Sequence, residues 1–456
     1  MIAMNIQLLL LAFLQHVTIS FGVASYDPWS IVVVADFHGA ESFSRKTNLE
    51  KNYDYQTYLS TLSHMHETYG GEIMLLPGDT NSGKWFVSKY INKFFEGKTP
   101  AQAVYQAGLN CYSGLRKLFN EAGYNDTMMS LGDHEYGDNG WFKGERKTAV
   151  IEEYRQAFRD AFNSNQSDGT FLYKGSLQDG SREVATTPWG TTHQRLSYAR
   201  QYKNVLFITI DLFEQISTNY NYLDKANGRG GEGTVTGTMK GDHLKWFENV
   251  LSIARGEKSS IKHIIVQAHL PVLEPVRKVS SSSMPVDDGA ESDFWKMMAK
   301  YDVDLYLAGE VHSTTASKVE NSNLVQIVSR GNKLNGFLKI QVESDDILRV
   351  SHYNEVGTKP RNNDNYEQTG SLVIDKAGNS TLIESHGTLE LLDNKDMLIR
   401  FDFEEIVPMS SRQVIGLRQK VGKYDVGLIA NSRKMRGISC NQSLPNQGKL
   451  GRKCFN

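Results

Sequence analysis

Hydrophobic and polar positions along the chain come in blocks. Short apolar runs stand at residues 30–35, 72–77, 125–131, 205–210, 263–268 and 303–308. They are rich in Val, Ile, Leu and Met with little alternation, the pattern of strands buried on both faces. Between them lie stretches of helical period at 53–69, 101–122, 152–162, 242–254 and 294–301. In the fourth of these, Leu244, Phe247, Val250 and Leu251 fall on one face. The recurring order strand, helix, strand predicts α/β layers. Residues 196–200 and 205–210 read as two strands joined by a turn near Lys203-Asn204, and 324–328, 336–342 and 347–353 as closing strands. After about residue 356 the composition changes, and Asn362-Asn363-Asp364-Asn365 reads as a linker. The expected division is a main unit over 26–355 and a β-rich C-terminal appendage over 356–456.

The ends of the apolar runs carry the chemistry. Five of them finish in Asp36-Phe37-His38, Gly78-Asp79, Gly132-Asp133-His134-Glu135, His269 and Gly309-Glu310-Val311-His312. Residues two apart on an extended chain point to one side, so Asp36 with His38, and Glu310 with His312, could each hold one ion. Taken singly, each is an ordinary acidic turn, and Asp36 reads equally well as the cap of a turn. In open α/β sheets, however, sites form at the carboxyl ends of strands, where scattered ligands meet. His64 and His66, near a helix end, read as solvated or dipole-stabilised side chains rather than ligands. The glycine-rich stretch 227–233 has no strand before it and no helix directly after it, which excludes a dinucleotide fingerprint.

Composition changes this picture in two respects. The formal net charge of −2 gives no electrostatic reason to expect nucleic acid or an anionic membrane as partner. Residues 1–25 contain no charged side chain, Leu8 to Leu14 is wholly apolar, and Val23-Ala24-Ser25 supplies small residues for cleavage. This segment reads as a secretory signal peptide, with an uncleaved anchor as the competing reading. Secretion or delivery to an endomembrane lumen agrees with four glycosylation triplets, at Asn125, Asn165, Asn379 and Asn441. In an oxidising compartment Cys440 and Cys454 would pair and pin the tail, leaving Cys111 as a buried apolar residue on a helix.

The five motifs in this order resemble the calcineurin-like metallophosphoesterase superfamily, whose pattern runs Asp-x-His, Gly-Asp, Gly-Asn-His-Asp/Glu, an isolated His, and Gly-His-x-His. The match spans residues 30 to 353, and the paired strands before Asp211 and the helix at Asp242 resemble secreted acid-phosphatase-type members. The resemblance implies a layered sandwich of two mixed β-sheets flanked by helices. It also implies two metal ions, one held by Asp36, His38, Asp79 and His312. The other would be held by Asp79, Asp133, His269 and Glu310, with Asp79 bridging. Hydrolysis of a phosphate mono- or diester by a metal-generated hydroxide is the implied reaction. His134 is expected to aid the leaving group and Glu135 to orient or polarise it.

Two positions depart from the family pattern: Asp133 stands in place of Asn, and Glu310 in place of His. The harder donor set favours Mn, Fe, Mg or Ca over Zn at the second site. Four carboxylates also roughly balance two divalent ions, which favours a diester or help from cations such as Lys84, Lys143, Arg146 and Lys147. Gly78-Asp79-Thr80-Asn81-Ser82 lacks the tyrosine of the acid-phosphatase members. The leading expectation is a secreted phosphoesterase for a small phosphate-ester substrate. The alternatives are a metal-dependent binding protein with an altered site, or a dimetal hydrolase of a non-phosphate substrate.

Overall fold

The structure is a computed structural model. It describes residues 27–45, 48–81, 95–136, 151–165, 167–214, 236–273, 286–312, 314–319, 322–331, 334–356 and 365–377, and beyond these the backbone of five further strands between 380 and 428. Lys84, Lys143, Arg146, Lys147, Asn379, Cys440, Asn441 and Cys454, with the expected signal peptide, lie outside the described residues. No helix among the described residues is long and apolar enough to cross a membrane.

The first three apolar runs form β1 (Trp29–Val33), β2 (Ile73–Pro77) and β3 (Thr127–Ser130). The next group forms β4 (Tyr198–Tyr202), β5 (Val205–Thr209), β6 (His263–Gln267), β7 (Leu305–Ala308), β8 (Thr315–Lys318) and β9 (Val325–Val328). After them come β10 (Gly336–Val342), β11 (Ile347–Glu355) and β12 (Tyr366–Asp375). The last strands are β13 (Ser380–Ser385), β14 (Thr388–Leu391), β15 (Ile399–Asp402), β16 (Gln413–Leu417) and β17 (Val426–Leu428). They make two large mixed sheets, of orders β17-β16-β13-β12-β11-β10-β1-β2-β3 and β14-β15-β8-β9-β7-β6-β5-β4. Each has a parallel centre, β1-β2-β3 in one and β5-β6-β7-β9 in the other, flanked by antiparallel strands.

Alternate residues of the central strands serve different layers, as the two-residue period of a strand requires. Ile31, Val33, Ile73, Leu75 and Met128 meet Phe207, Ile265, Leu305 and Leu307 between the sheets. The intervening residues, Val32, Met74, Leu76 and Met129 in one sheet and Leu206, Ile264, Val266 and Tyr306 in the other, join the core that also contains the helices. Those helices are α1 (Tyr53–Tyr69), α2 (Pro100–Glu121), α3 (Ile151–Ala161), α4 (Gly241–Ala254) and α5 (Asp293–Lys300). Their starts follow local chemistry: Asn52 caps α1, and Thr99 with Gln102 forms a capping box on α2 ahead of Pro100. Each fully buried Leu or Ile in these layers contributes about 1.5–3 kcal/mol, so burial on both sheet faces holds the strand ends rigidly.

The boundary at 356 falls between β11 and β12, which pair antiparallel with Tyr353 opposite Gln368. The described part of the tail continues the two sheets, since β15 pairs with β8 and β13 with β12. Composition carries no information about which strand the segment from Tyr366 pairs with. Cys111 is a free, buried residue within α2, as expected.

Candidate metal centre

The carboxyl ends of β1, β2, β3, β6 and β7 meet at one edge of the sandwich, and the five motifs meet with them. Ligand atoms of Asp36, His38 and His312 lie within 4.8 Å of one another, as do those of Asp79, Asp133, His269 and Glu310. A third such group, His38, Asp79 and His134, shares His38 with the first and Asp79 with the second. His269 Nε2 stands 3.3 Å from Asp79 Oδ2, 3.3 Å from Asp133 Oδ1 and 3.1 Å from Glu310 Oε2. On the other side, His38 Nε2 approaches His312 Nε2 at 3.0 Å and Asp79 Oδ2 at 3.9 Å. His312 Nε2 lies 3.6 Å from Asp36 Oδ1.

The pleat of a strand is not what aligns these side chains. β1 ends at Val33 and β7 at Ala308, short of the ligands. Asp36, His38, Asp79, Glu310 and His312 instead adopt left-handed backbone, with φ of 47°, 46°, 54°, 71° and 56°. A non-glycine residue held there costs on the order of 1–3 kcal/mol, so the surrounding structure must impose it. It does so through the adjoining loops. Asp36 N–H donates to Gly78 O, His38 N–H to Asp79 O and Ala40 N–H to Thr80 O, extending the β1–β2 pairing past the strands. Glu310 N–H donates to Asp36 Oδ1 at 3.0 Å, and His134 N–H to Asp79 Oδ1 at 3.2 Å. Gly132 permits a close approach to the cluster itself: a Cβ there would stand 2.1 Å from Asp79 Oδ1.

The donor set fits metal ions on several counts. His269 donates Nδ1–H to Pro77 O at 2.8 Å and His38 donates Nδ1–H to Asn81 O at 3.1 Å. A carbonyl can only accept, so each bond leaves Nε2 turned into the cluster. Against its own burial, Asp79, Asp133 and Glu310 raise His269 well above the usual imidazole range, so in the ion-free cluster its Nε2 carries a proton that a bound ion would have to displace. Asp36 Oδ2 and Asp133 Oδ1 are buried and accept no hydrogen bond, a costly state unless a cation sits nearby. Burial lowers His38 to about 3, helped by His134 and His312, so it is neutral at neutral pH, as a ligand must be. Burial pushes Asp36 up to about 8, with Glu310 and Asp133 adding to the rise. Burial and Asp133 likewise raise Asp79 well above the usual carboxylate range. Against its own burial, Asp133 is held below that range by His134 and His269. The cluster as it stands has more buried acid than its imidazoles can neutralise.

His134 reaches the shared residue, with Nε2 3.4 Å from Asp79 Oδ2, and its side chain is slightly exposed. Glu135 does something other than polarise it. Its Oε2 accepts from the N–H groups of Asp79 (2.8 Å) and Gly132 (2.7 Å). Its Oε1 accepts from Thr80 N–H and Oγ1–H, both at 2.8 Å, and from Asn81 N–H (3.3 Å) and Nδ2–H (2.9 Å). Glu135 therefore ties the turn after β2 to the turn after β3. Asn81, which accepts from His38 and donates to Glu135, went unremarked in the sequence, as did Gly331, where a Cβ would stand 1.2 Å from Ala35 O. Asp211 also went unremarked, although it ends the apolar run of β5 just as the ligands end theirs. Asn125 and Asn165 are exposed, and His64 and His66 lie in α1 outside all three groups.

No family model and no curated protein matches the chain. Among solved structures it is similar to a dimetal phosphatase from Danio rerio, at 12% identity and a TM-score of 0.39, over 77% of this chain and 100% of that one. It is also similar to a purple acid phosphatase from yellow lupin (Lupinus luteus) seeds, at 12% identity and a TM-score of 0.44, over 76% of this chain and 54% of that one. A third similar structure is the anchor in the inner membrane complex of Plasmodium, at 12% identity and a TM-score of 0.37, over 76% of this chain and 89% of that one.

Proposed function

We propose that this protein is a secreted, dimetal phosphoesterase acting on a small phosphate mono- or diester. The observation that carries the reading is the pair of carboxylate–imidazole groups, Asp36/His38/His312 and Asp79/Asp133/His269/Glu310, bridged by the group of His38, Asp79 and His134. Asp36, His38, Asp79 and His312 would hold one ion, and Asp79, Asp133, His269 and Glu310 the other. Bound there, two divalent ions supply a neutral-pH nucleophile from water and stabilise negative charge on the phosphoryl oxygens.

The remaining roles fall to the chain's own side chains. His38 and His269 present Nε2 because Asn81 O and Pro77 O hold their Nδ1 protons. His134, with Nε2 3.4 Å from Asp79 Oδ2 and outside both the Asp36/His38/His312 and the Asp79/Asp133/His269/Glu310 groups, is the group placed to donate a hydrogen bond or proton to a departing alkoxide. Glu135 fixes the loop from which Asp79 projects. With three carboxylates and one imidazole around it, the second position selects Mn, Fe, Mg or Ca over Zn. Stoichiometric Zn at both positions in the native protein would contradict that selection.

Turnover of p-nitrophenyl phosphate against bis-p-nitrophenyl phosphate across added metals tests the reading. His134→Ala is expected to abolish turnover while leaving metal content intact, and an active variant would remove His134 from the mechanism. One observation favours the metal-dependent binding protein instead: Glu135 is committed to the loop and does not assist His134. Bound metal with no turnover of either ester would favour that alternative, or a non-phosphate substrate.

A further inference from the structure

Behind the metal centre lies a second buried polar cluster with Asp211 at its middle. Asp211 follows β5 and is fully buried. Its Oδ2 accepts from Tyr136 Oη–H at 2.9 Å and from His193 Nδ1–H at 3.0 Å, and its Oδ1 accepts from Phe213 N–H at 3.2 Å. Its backbone N–H donates to Ser197 Oγ at 2.9 Å, which also meets His243 Nε2 at 2.9 Å. The His193 and His243 rings stack at 4.1 Å. Arg155, from α3, donates to Tyr136 Oη at 3.4 Å and to Phe213 O at 3.0 Å. Glu214 lies 3.5 Å from His193 Nε2 and pairs with Lys240 at 2.8 Å.

A buried carboxylate with three side-chain hydrogen bonds, one of them from His193, and the Arg155 charge near enough to favour its ionised form is more apparatus than packing needs. Apolar side chains of similar volume often serve stability equally well. What the cluster touches gives it a use. Tyr136 closes the turn that carries Asp133, His134 and Glu135, its N–H donating to Asp133 O at 3.1 Å. Phe213 packs on Tyr136 at 5.2 Å and on the His269 ring at 6.3 Å. Asp133 and His269 both belong to the second ion group; the cluster's contacts with the metal centre, through Tyr136 and Phe213, are with that group.

We infer that Asp211, acting through Tyr136 and Phe213, is a positioning residue for Asp133 and His269 and thereby sets affinity at the second ion position. This rests on the dimetal reading above. Partners that orient metal ligands without touching the ion are worth about 10- to 100-fold in affinity. A packing role alone would weaken both positions together, or neither.

The test is calorimetric titration of the metal-free full-length protein with Mn²⁺. Tyr136→Phe removes one hydroxyl and keeps the ring; Asp211→Asn is the stronger variant, and circular dichroism with thermal melting checks that each folds. In a His312→Ala background, which isolates the Asp133/His269/Glu310 group, Tyr136→Phe is expected to weaken Mn²⁺ binding about 10- to 100-fold. In a His269→Ala background, which removes a ligand of the second group and isolates the Asp36/His38/His312 group, it leaves affinity unchanged. Equal losses in both backgrounds, or none in either, would overturn the inference while leaving the dimetal reading intact. Absence of Mn²⁺ binding by the wild-type protein would overturn the dimetal reading itself.

Discussion

Replacing Glu135 with glutamine separates the role the structure gives it from that of a catalytic partner of His134. The substitution keeps size and shape but turns one acceptor oxygen into a donor NH₂. Whichever way the amide settles, the new donor faces donors. Toward Oε1 it meets four, from Thr80 and Asn81; toward Oε2 it meets two, the N–H groups of Asp79 and Gly132 at 2.8 and 2.7 Å. The second orientation costs less and still forfeits two charge-assisted bonds inside a buried turn. At about 1.5–3 kcal/mol for each hydrogen bond to a charged group, the loss is roughly 3–6 kcal/mol. Removing the Glu135 charge also relieves its repulsion of Asp79, which offsets part of this. A net loss near 3 kcal/mol remains a large share of the ~5–15 kcal/mol that holds a folded domain together.

The assay is urea unfolding of the metal-free protein followed by circular dichroism, with Mn²⁺ content measured in parallel. Glu135→Gln is expected to lower the unfolding midpoint without changing the slope, the mark of lost stability rather than an altered denatured state. It should also weaken both ion positions if Asp79 serves both, as proposed above. A variant with stability within about 1 kcal/mol of wild type, full metal content and low kcat would refute the argument and return Glu135 to the proton-handling role.

Three further outcomes follow from the structure. Gly132→Ala places a Cβ 2.1 Å from Asp79 Oδ1 and 2.6 Å from Asp79 N, so Mn²⁺ titration should show lost or much weakened binding; wild-type binding would contradict the close approach. Although burial lowers it, His193 is raised above 6.5 by Asp211 and Glu214, so its stabilising contribution is full below pH 6.5 and is lost as pH rises through the raised value. Hydrogen bonding to His193 holds Glu214 at about 2, so its contribution is full above pH 4.5 and fades as pH falls toward 2. Urea midpoints of wild type and His193→Gln should therefore converge on the alkaline side, and parallel profiles would refute this pairing. Leu305→Ala opens a cavity between the sheets, where Leu305 is fully buried, and should cost about 2–5 kcal/mol in the same experiment.

The helices and central strands were legible in the sequence because one physical signal serves both burial and order. The run ending at Ala35 is apolar because β1 is covered on both faces, and 53–69 shows helical period because α1 covers one of them. β8 was not legible. Thr315-Ala316-Ser317-Lys318 is polar, yet all four residues are buried, and it forms because β9 and β15 offer ladders on either side. Pairing of this kind is a property of the partners. The same holds for the strands past residue 356, where composition could not say that β12 returns to β11.

At the site, the sequence shows which residues meet and conceals how. Aspartate and histidine at the ends of apolar runs advertise a ligand set because carboxyl ends of parallel strands gather at one edge. Nothing in Asp36-Phe37-His38 announces that both outer residues are left-handed, since neither needs that conformation and the loop after β2 imposes it. Glu135 shows the limit most clearly. Next to a histidine it reads as a proton-handling partner, but all of its donors except Gly132 N–H come from Asp79, Thr80 and Asn81, in a turn more than fifty residues earlier. Asp211 is the converse case: it ends an apolar run as the ligands do, and so carried the same signal, but its partners draw it away from the ions. A strand-end carboxylate is thus a candidate ligand only until its hydrogen-bond donors are known. Where those donors already satisfy it, as for Glu135 and Asp211, it has no oxygen to spare for an ion; where a buried oxygen accepts no hydrogen bond, as Asp36 Oδ2 does, a cation would offset the cost.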